Sequence, residues 1–358
     1  MVQMVITGLL CGAALGFVLQ RGRFCLTGGF RDMYLTKNNR MFYALLLAIA
    51  IQSVGVYALI QFGLLQYEAG TFSWVAIVIG SFIFGIGIVL AGGCATGTWY
   101  RAAEGLIGSW IALIFYMLTS AMMKSGVLLP LNEKLSSVQV HNNSIPKTFG
   151  VNVWVFIAIL VIIVAVIMFK EARKPKLVIP SLKPKKSGIA HLLFERRWHP
   201  YFTASIVGII AIIAWPLSEA TGRNSGLGIT TPSANILQYL VSGDKSILNW
   251  GVFLVLGIFV GSFIAAKGSN EFRLRVPEVK TIVSSVCGGS LMGLGASLAG
   301  GCTIGNGLVS TAMMTWQGWI ALAFMILGAW TATYFVFVRP RVKKQVVAKQ
   351  AVTPASAN

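Results

Sequence analysis

Val89-Leu90-Ala91-Gly92-Gly93-Cys94-Ala95-Thr96-Gly97 and Ser297-Leu298-Ala299-Gly300-Gly301-Cys302-Thr303-Ile304-Gly305 follow one pattern, far apart in the chain. Each string closes a long apolar run with two adjacent glycines, and paired glycines interrupt a helix. Interrupted backbone at membrane depth is tolerated only where protein or a water-filled cavity covers it. Two of the five cysteines of the chain stand at these breaks.

The surroundings of both strings set the solvent. Of 358 residues, 56% are hydrophobic and 11% charged, against about 25% charged in a soluble domain. Apolar runs of about 20 residues are long enough to cross a bilayer as helices. The expected class is an all-α polytopic membrane protein with about nine transmembrane helices and short broken or re-entrant helices. The crossings fall roughly at 4–20, 41–65, 74–93, 106–129, 151–170, 201–217, 250–266, 281–300 and 316–338. Met1 to Gln20 lacks a basic leader region and reads as a retained helix.

The net charge of +19, from 29 Lys and Arg against 10 Asp and Glu, would suggest nucleic acid in a soluble protein. Here the bases cluster in loops and report orientation, so the partner is the lipid bilayer and not nucleic acid. The stretch 171–200 (Lys174, Pro175, Lys176, Pro180, Lys183, Pro184, Lys185, Lys186, Arg196, Arg197) and the tail (Arg339, Arg341, Lys343, Lys344, Lys349) are expected to be cytoplasmic. The segments 21–40 and 267–280 fall on the same side. The N-terminus is then outside and the C-terminus inside.

With single crossings, the helix before Cys94 runs inward and the helix before Cys302 outward. One motif in two directions is an inverted repeat. The alignment G-x-G-x-x-L-A-G-G-C-x-x-G, Gly85 to Gly97 against Gly293 to Gly305, continues to Trp110-Ile111-Ala112-Leu113 against Trp319-Ile320-Ala321-Leu322. Upstream, Gly8-Leu9-Leu10 matches Gly208-Ile209-Ile210, and Gly22-Arg23 matches Gly222-Arg223. The expected organisation is a first repeat of four helices over 1–150, helix five with a basic cytoplasmic linker over 151–200, a second inverted repeat over 201–338, and a basic tail over 339–358. Inverted repeats recur in transporters, with substrate sites where discontinuous helices meet.

After each break a short helix is expected, capped by Thr96 and Thr98 or by Thr303 and Asn306. Its N-terminal amides favour anions. A third candidate is the glycine-rich, basic segment Arg21 to Asp32, holding Cys25. Its mate is the loop Thr221 to Pro232, where Ser225 or a neighbour replaces the thiol. Cys11 and Cys287 lie within apolar helices and read as packing residues. The spacings Gly8-x-x-x-Gly12-x-x-x-Gly16 and Gly257-x-x-x-Gly261 read as helix-contact faces.

Soft thiols suit Cu(I), Zn or sulfur species. His141, His191 and His199 are the only histidines and sit in expected loops. No Asp or Glu falls inside an expected crossing, so neither a metal site nor a bound cofactor is expected. Amide-rich helix ends, basic mouths and uncharged thiols suit a small sulfur-bearing anion. The chain has no C-x-x-C pair and no nucleotide motif. A transporter is therefore expected rather than an enzyme, with a membrane thiol oxidoreductase or a carrier of other sulfur or selenium species as the alternatives.

The repeated Leu-Ala-Gly-Gly-Cys and the Gly22-Arg23-Phe24-Cys25 segment followed by Arg31-Asp32 resemble the YeeE/YedE family of bacterial sulfur transporters, along nearly the whole chain. The resemblance implies thiosulfate as substrate, passed along three cysteines that correspond to Cys25, Cys94 and Cys302. It also implies a TusA-like cytoplasmic sulfur carrier protein as partner. The candidate substrate contacts are Cys25, Cys94, Cys302, Gly92, Gly93, Gly300, Gly301, Arg23 and Thr303.

Overall fold

A computed structural model of the chain describes residues 1–173 and 188–341. In chain order the helices are α1 (Val2–Gly22), α2 (Leu26–Leu35), α3 (Arg40–Gln61), α4 (Trp74–Leu90), α5 (Ala95–Ala103), α6 (Ile107–Ser125), α7 (Leu129–Ser136), α8 (Ile145–Phe149), α9 (Val153–Ala172), α10 (Gly188–Ala190), α11 (Pro200–Glu219), α12 (Thr230–Ser242), α13 (Trp250–Gly268), α14 (Val279–Leu298) and α15 (Trp316–Thr333). A π-helical turn, Gly305–Ser310, precedes α15. Among the described residues nine segments are long and apolar enough to cross a membrane, and the only β pairing is three isolated bridges. Two of the nine are broken: Val2–Leu35 contains α1 and α2, and Trp74–Ala103 contains α4 and α5.

Small residues decide which helices touch. A Cβ added at Gly12 or Gly16 of α1 would overlap the backbone of α13 at Leu254 or Ile258, and one at Gly257 or Gly261 would overlap α1 at Leu9 or Ala13. Lipid tails compete with apolar side chains, so this close backbone approach is what favours the pair in a membrane. The expected helix-contact faces are therefore realised, and Ser262 Oγ adds a 2.9 Å bond to the Gly16 carbonyl. By the same device α4 lies between α14, through Gly80 and Gly87, and α15, through Gly85. Helix α14 also packs on α6, and α11 on α3. Helix α9 stands apart: of its residues only Ile157, Leu160 and Val164 are buried, which leaves a lipid-facing stripe that includes Ile159, Ile162 and Ile163.

The last turn of α1, the end of α5, the start of α6 and the end of α13 meet at one end of the bundle. This charged end carries Gln20, Arg21, Arg23, Glu104 and Glu271. The last turn of α6 meets α12 at the opposite end, where Lys124 Nζ donates to Asn235 Oδ1 at 2.6 Å.

Three expectations change. The segment from Thr230 is helix α12, not a continuation of the loop, because Pro232 sits in its first turn, where a missing N–H is harmless. Cys287 is exposed on α14 and not a core residue, while Cys11 is buried as expected. Thr96, Thr98, Thr303 and Asn306 do not cap the short helices: Cys94 caps α5, and no side chain caps the turn that begins at Gly305. Lys174, Pro175, Lys176, Pro180, Lys183, Pro184, Lys185 and Lys186, and Lys343, Lys344 and Lys349 of the tail, lie outside the described residues.

Candidate functional site

Helix α4 ends where Gly92 takes φ +71°, and α14 ends where Gly300 takes φ +70°. This left-handed backbone is costly for any residue with a Cβ. The chain then turns and restarts. Cys94 is the N-cap of α5: its Sγ accepts from the Gly97 N–H at 3.4 Å. The cysteine thus caps its own helix, and Thr98 instead returns its hydroxyl to the Ala95 carbonyl at 2.6 Å. At the second break the Asn306 amide serves freed carbonyls rather than capping backbone N–H groups. Its Nδ2 reaches the carbonyls of Ala299 at 2.7 Å and Gly301 at 3.2 Å, which the interrupted helix leaves without partners.

Cys25 occupies the same position on α2 that Cys94 occupies on α5, as N-cap in extended conformation. Helix α1 closes with Arg23 in the left-handed region, φ 48°, and the Phe24 N–H returns to the Leu19 carbonyl at 3.0 Å, a helix stop that turns the chain inward. The Arg23 guanidinium contacts Glu104 at 2.9 Å and Glu271 at 2.8 Å. Gln20 Nε2 also donates to Glu271, at 2.7 Å. Burial works against the charge on Glu271, but Gln20, Arg23 and Arg21 outweigh it and hold its carboxyl below the usual range. At Glu104 burial wins over Arg23, and its pKa is raised.

All three candidate thiols are buried, Cys302 completely. The sulfurs of Cys94 and Cys25 converge on Gly97: a Cβ built there would lie 3.4 Å from the first and 3.9 Å from the second. Cys94 is also within electrostatic reach of Cys302, with Thr303 beside it. The N–H groups of Gly305, Ile304 and Ile229 and the Thr230 hydroxyl are directed at the Cys302 sulfur. Two cavities approach this group from opposite ends. One of about 250 Å³ is lined by Arg223, Ser225, Gly228, Thr230, Gly300 and Cys302. The other, of about 350 Å³, opens at the charged end beside Arg23, Cys25, Asp32 and Arg40. Cys94 lines neither and sits between them.

The structure therefore brings together Cys25, Cys94, Cys302, Gly92, Gly93, Gly300, Gly301 and Thr303. Arg23 is at the charged mouth with its guanidinium already engaged by two carboxylates. Arg101 is a residue the sequence reading passed over. Its Nη1 donates to the Gly92 carbonyl, and its charge acts on both Cys25 and Cys94. No local pattern marks it in the sequence as more than an anchoring base, although it lies two turns beyond Cys94 on the same helix face. Among the described residues no cluster of His, Cys, Asp and Glu suited to a metal ion occurs.

Residues 21–331 match the family model described as Sulphur transport. The chain is 65% identical over 346 residues to the thiosulfate transporter TsuA of Escherichia coli (strain K12), covering 97% of this chain and 98% of that protein. It is 34% identical over 351 residues to the thiosulfate transporter TsuA of Spirochaeta thermophila, covering 94% and 100%. A shorter match, 38% over 104 residues, joins it to the probable transporter YedE of Escherichia coli, with 28% of this chain and 25% of that one covered.

Proposed function

The chain belongs to the sulphur-transport family, and from that premise we propose that it imports thiosulfate across the bacterial inner membrane. The observation that carries this reading is the row of buried thiols between two polar cavities that open at opposite ends. Thiosulfate enters by the Gly222–Pro232 loop, meets Cys302 among converging amides, passes Cys94 and leaves by Cys25. A thiol is a weak hydrogen-bond donor, so each stop is shallow, and conduction requires sites weak enough to leave. The chain is a transporter and not an enzyme.

The charged end faces the cytoplasm on this reading, because Lys37, Arg40, Arg197, Arg273 and Arg275 gather there. The N-terminus is then outside. A TusA-like sulfur carrier would dock at that mouth and take up the imported sulfur. The two halves, 1–150 and 201–338, are related as an inverted repeat. Supporting this, the packing of α1 on α13 has its counterpart in α11 on α3, and that of α4 on α15 in α14 on α6. The two breaks also share one backbone conformation.

Growth on thiosulfate as sole sulfur source, in cells without other thiosulfate uptake, tests the reading. The wild-type chain is expected to support growth, Cys94→Ala and Cys302→Ala to abolish it, and Cys11→Ala and Cys287→Ala to leave it intact. Growth of both Cys94→Ala and Cys302→Ala at the wild-type rate would remove the thiol path.

A further inference from the structure

Among the described residues four buried threonine hydroxyls lack a nitrogen or oxygen hydrogen-bond partner: one, Thr333, ends α15, and the other three are those of Thr27, Thr96 and Thr303. Each of these three is at least nine-tenths buried. Each also follows a path cysteine by one or two residues. Cys25 and Cys94 are N-caps of α2 and α5, and Thr27 and Thr96 hold the same second helical position after them. Thr303 follows Cys302 directly, and its hydroxyl has the Cys94 thiol as its one neighbour within hydrogen-bonding reach, a weak partner.

A buried hydroxyl with no partner destabilises a fold, so its retention calls for a physical reason. Other threonines of these segments are satisfied at home: Thr98 bonds the Ala95 carbonyl, and Thr311 those of Gly307 and Leu308. Helical back-bonding is the usual outcome for a buried threonine, and the three hydroxyls beside the thiols forgo it.

Thiosulfate has two unlike ends, a terminal sulfur and a group of three oxygens. We propose that the hydroxyls of Thr27, Thr96 and Thr303 bind the oxygen end of the passing anion, each as companion to the thiol that receives its sulfur end. Each stage then reads both ends of the ion, and the hydroxyls rather than the thiols select for the oxyanion head. This assignment rests on the thiosulfate reading above.

Uptake of radiolabelled thiosulfate by cells expressing the full chain, with thermal stability of the purified protein, tests it. A hydroxyl bond to an anion accounts for about ten-fold or more in affinity. Thr96→Val and Thr303→Val are expected to lower uptake about ten-fold, while Thr96→Ser and Thr303→Ser stay within about three-fold of wild type. Both valine variants should be no less heat-stable than wild type, because they remove an unsatisfied group. A threonine with a merely structural role would give the reverse. Thr98→Val serves as the control and should retain uptake. Wild-type uptake in the valine variants, with Cys94→Ala still inactive, would overturn the assignment and leave the thiosulfate reading standing. Absence of thiosulfate uptake by the wild-type chain would instead defeat that reading itself. Should a valine variant fail to accumulate, the serine variant decides: retained uptake upholds the hydroxyl role, and loss of uptake in a folded serine variant overturns it.

Discussion

The two helix breaks have the same backbone and different chemistry. Gly92 and Gly300 turn through nearly equal angles, and Cys94 and Cys302 accept at the same offset, their carbonyls taking the N–H of Thr98 and of Asn306 at 2.8 Å. The carbonyls freed by the first break are met by a cation, Arg101. Those freed by the second are met by neutral amides: Asn306, and Gln317 at 3.3 Å from the Ala299 oxygen and 3.1 Å from Asn306 Oδ1. The first break therefore carries a positive charge beside Cys25 and Cys94, whereas the second is closed by neutral amides and the nearest lining cation, Arg223, belongs to the cavity wall. An anion entering by the Cys302 side would pass from a break closed by amides to one closed by a cation, so two breaks of one backbone shape differ in a way that the shape alone would not give.

The largest effect is expected where that difference is erased. Arg101→Gln keeps a donor for the Gly92 carbonyl and removes the charge. Charge-assisted bonds contribute about 1.5–3 kcal/mol, so thiosulfate uptake should fall by about ten- to a hundred-fold. Arg101→Lys should recover part of it, since charge returns without the planar fork. Arg101→Gln should also lower the ratio of anionic to cationic thiol-reagent reaction at Cys25. An unchanged ratio would mean that Arg101 only props the break open.

Asn306→Ala is the neutral counterpart and should act on stability first. It strips the Gly301 carbonyl of its donor and leaves Gln317 only the Ala299 carbonyl as acceptor, at a cost of about 1–3 kcal/mol. A lower thermal midpoint with substrate affinity little changed is the expected pair of results. If uptake instead fell as far as in Arg101→Gln with stability intact, the two breaks would be doing the same work, and the contrast between them would fail.

Much of this was legible in the sequence, and the reasons differ by feature. The nine crossings follow from hydropathy because each must present an apolar surface over its whole length. The breaks follow from Gly-Gly, and the α1–α13 contact from glycines spaced four apart. Helix α12 was not legible, since Thr230–Ser242 is too short to span and mixes polar with apolar residues. The partners that close the breaks were not legible either. Arg101 and Gln317 are ordinary residues until the fold brings them to a carbonyl, and no local pattern distinguishes Arg101 from an anchoring base. Cys287 sits in an apolar helix like Cys11, and only packing tells the exposed thiol from the buried one.

A smaller effect separates the two glycines. Alanine in left-handed backbone costs about 1–2 kcal/mol at either position. At Gly92 the space beyond is open, whereas a Cβ at Gly300 would lie 2.9 Å from Gln317 Nε2. Gly300→Ala should therefore lower the thermal midpoint further than Gly92→Ala. Equal losses would mean that Gln317 yields without cost and that the amide closure is looser than the cationic one.

The smallest effect concerns the carboxylate nearest the cationic break. Glu104 ends α5 and is within electrostatic reach of Arg101 as well as Arg23. Burial raises its pKa despite both cations. The folded chain then keeps a proton there at pH values where the unfolded chain has released it. Stability should decline as pH rises from the ordinary carboxylate value of about 4.3 through the raised value, and level off above it. Glu104→Gln removes this contribution, so its stability profile should be flatter over that window, while uptake at neutral pH stays within about two-fold of wild type. Glu271 is held low, so its contribution runs the other way. It is present above the ordinary value and lost as pH falls through the depressed one, and the two slopes can be told apart by direction. If Glu104→Gln abolished uptake, Arg101 would owe its position to a shared ion network at the charged end, and the positive region would extend from the first break to the mouth.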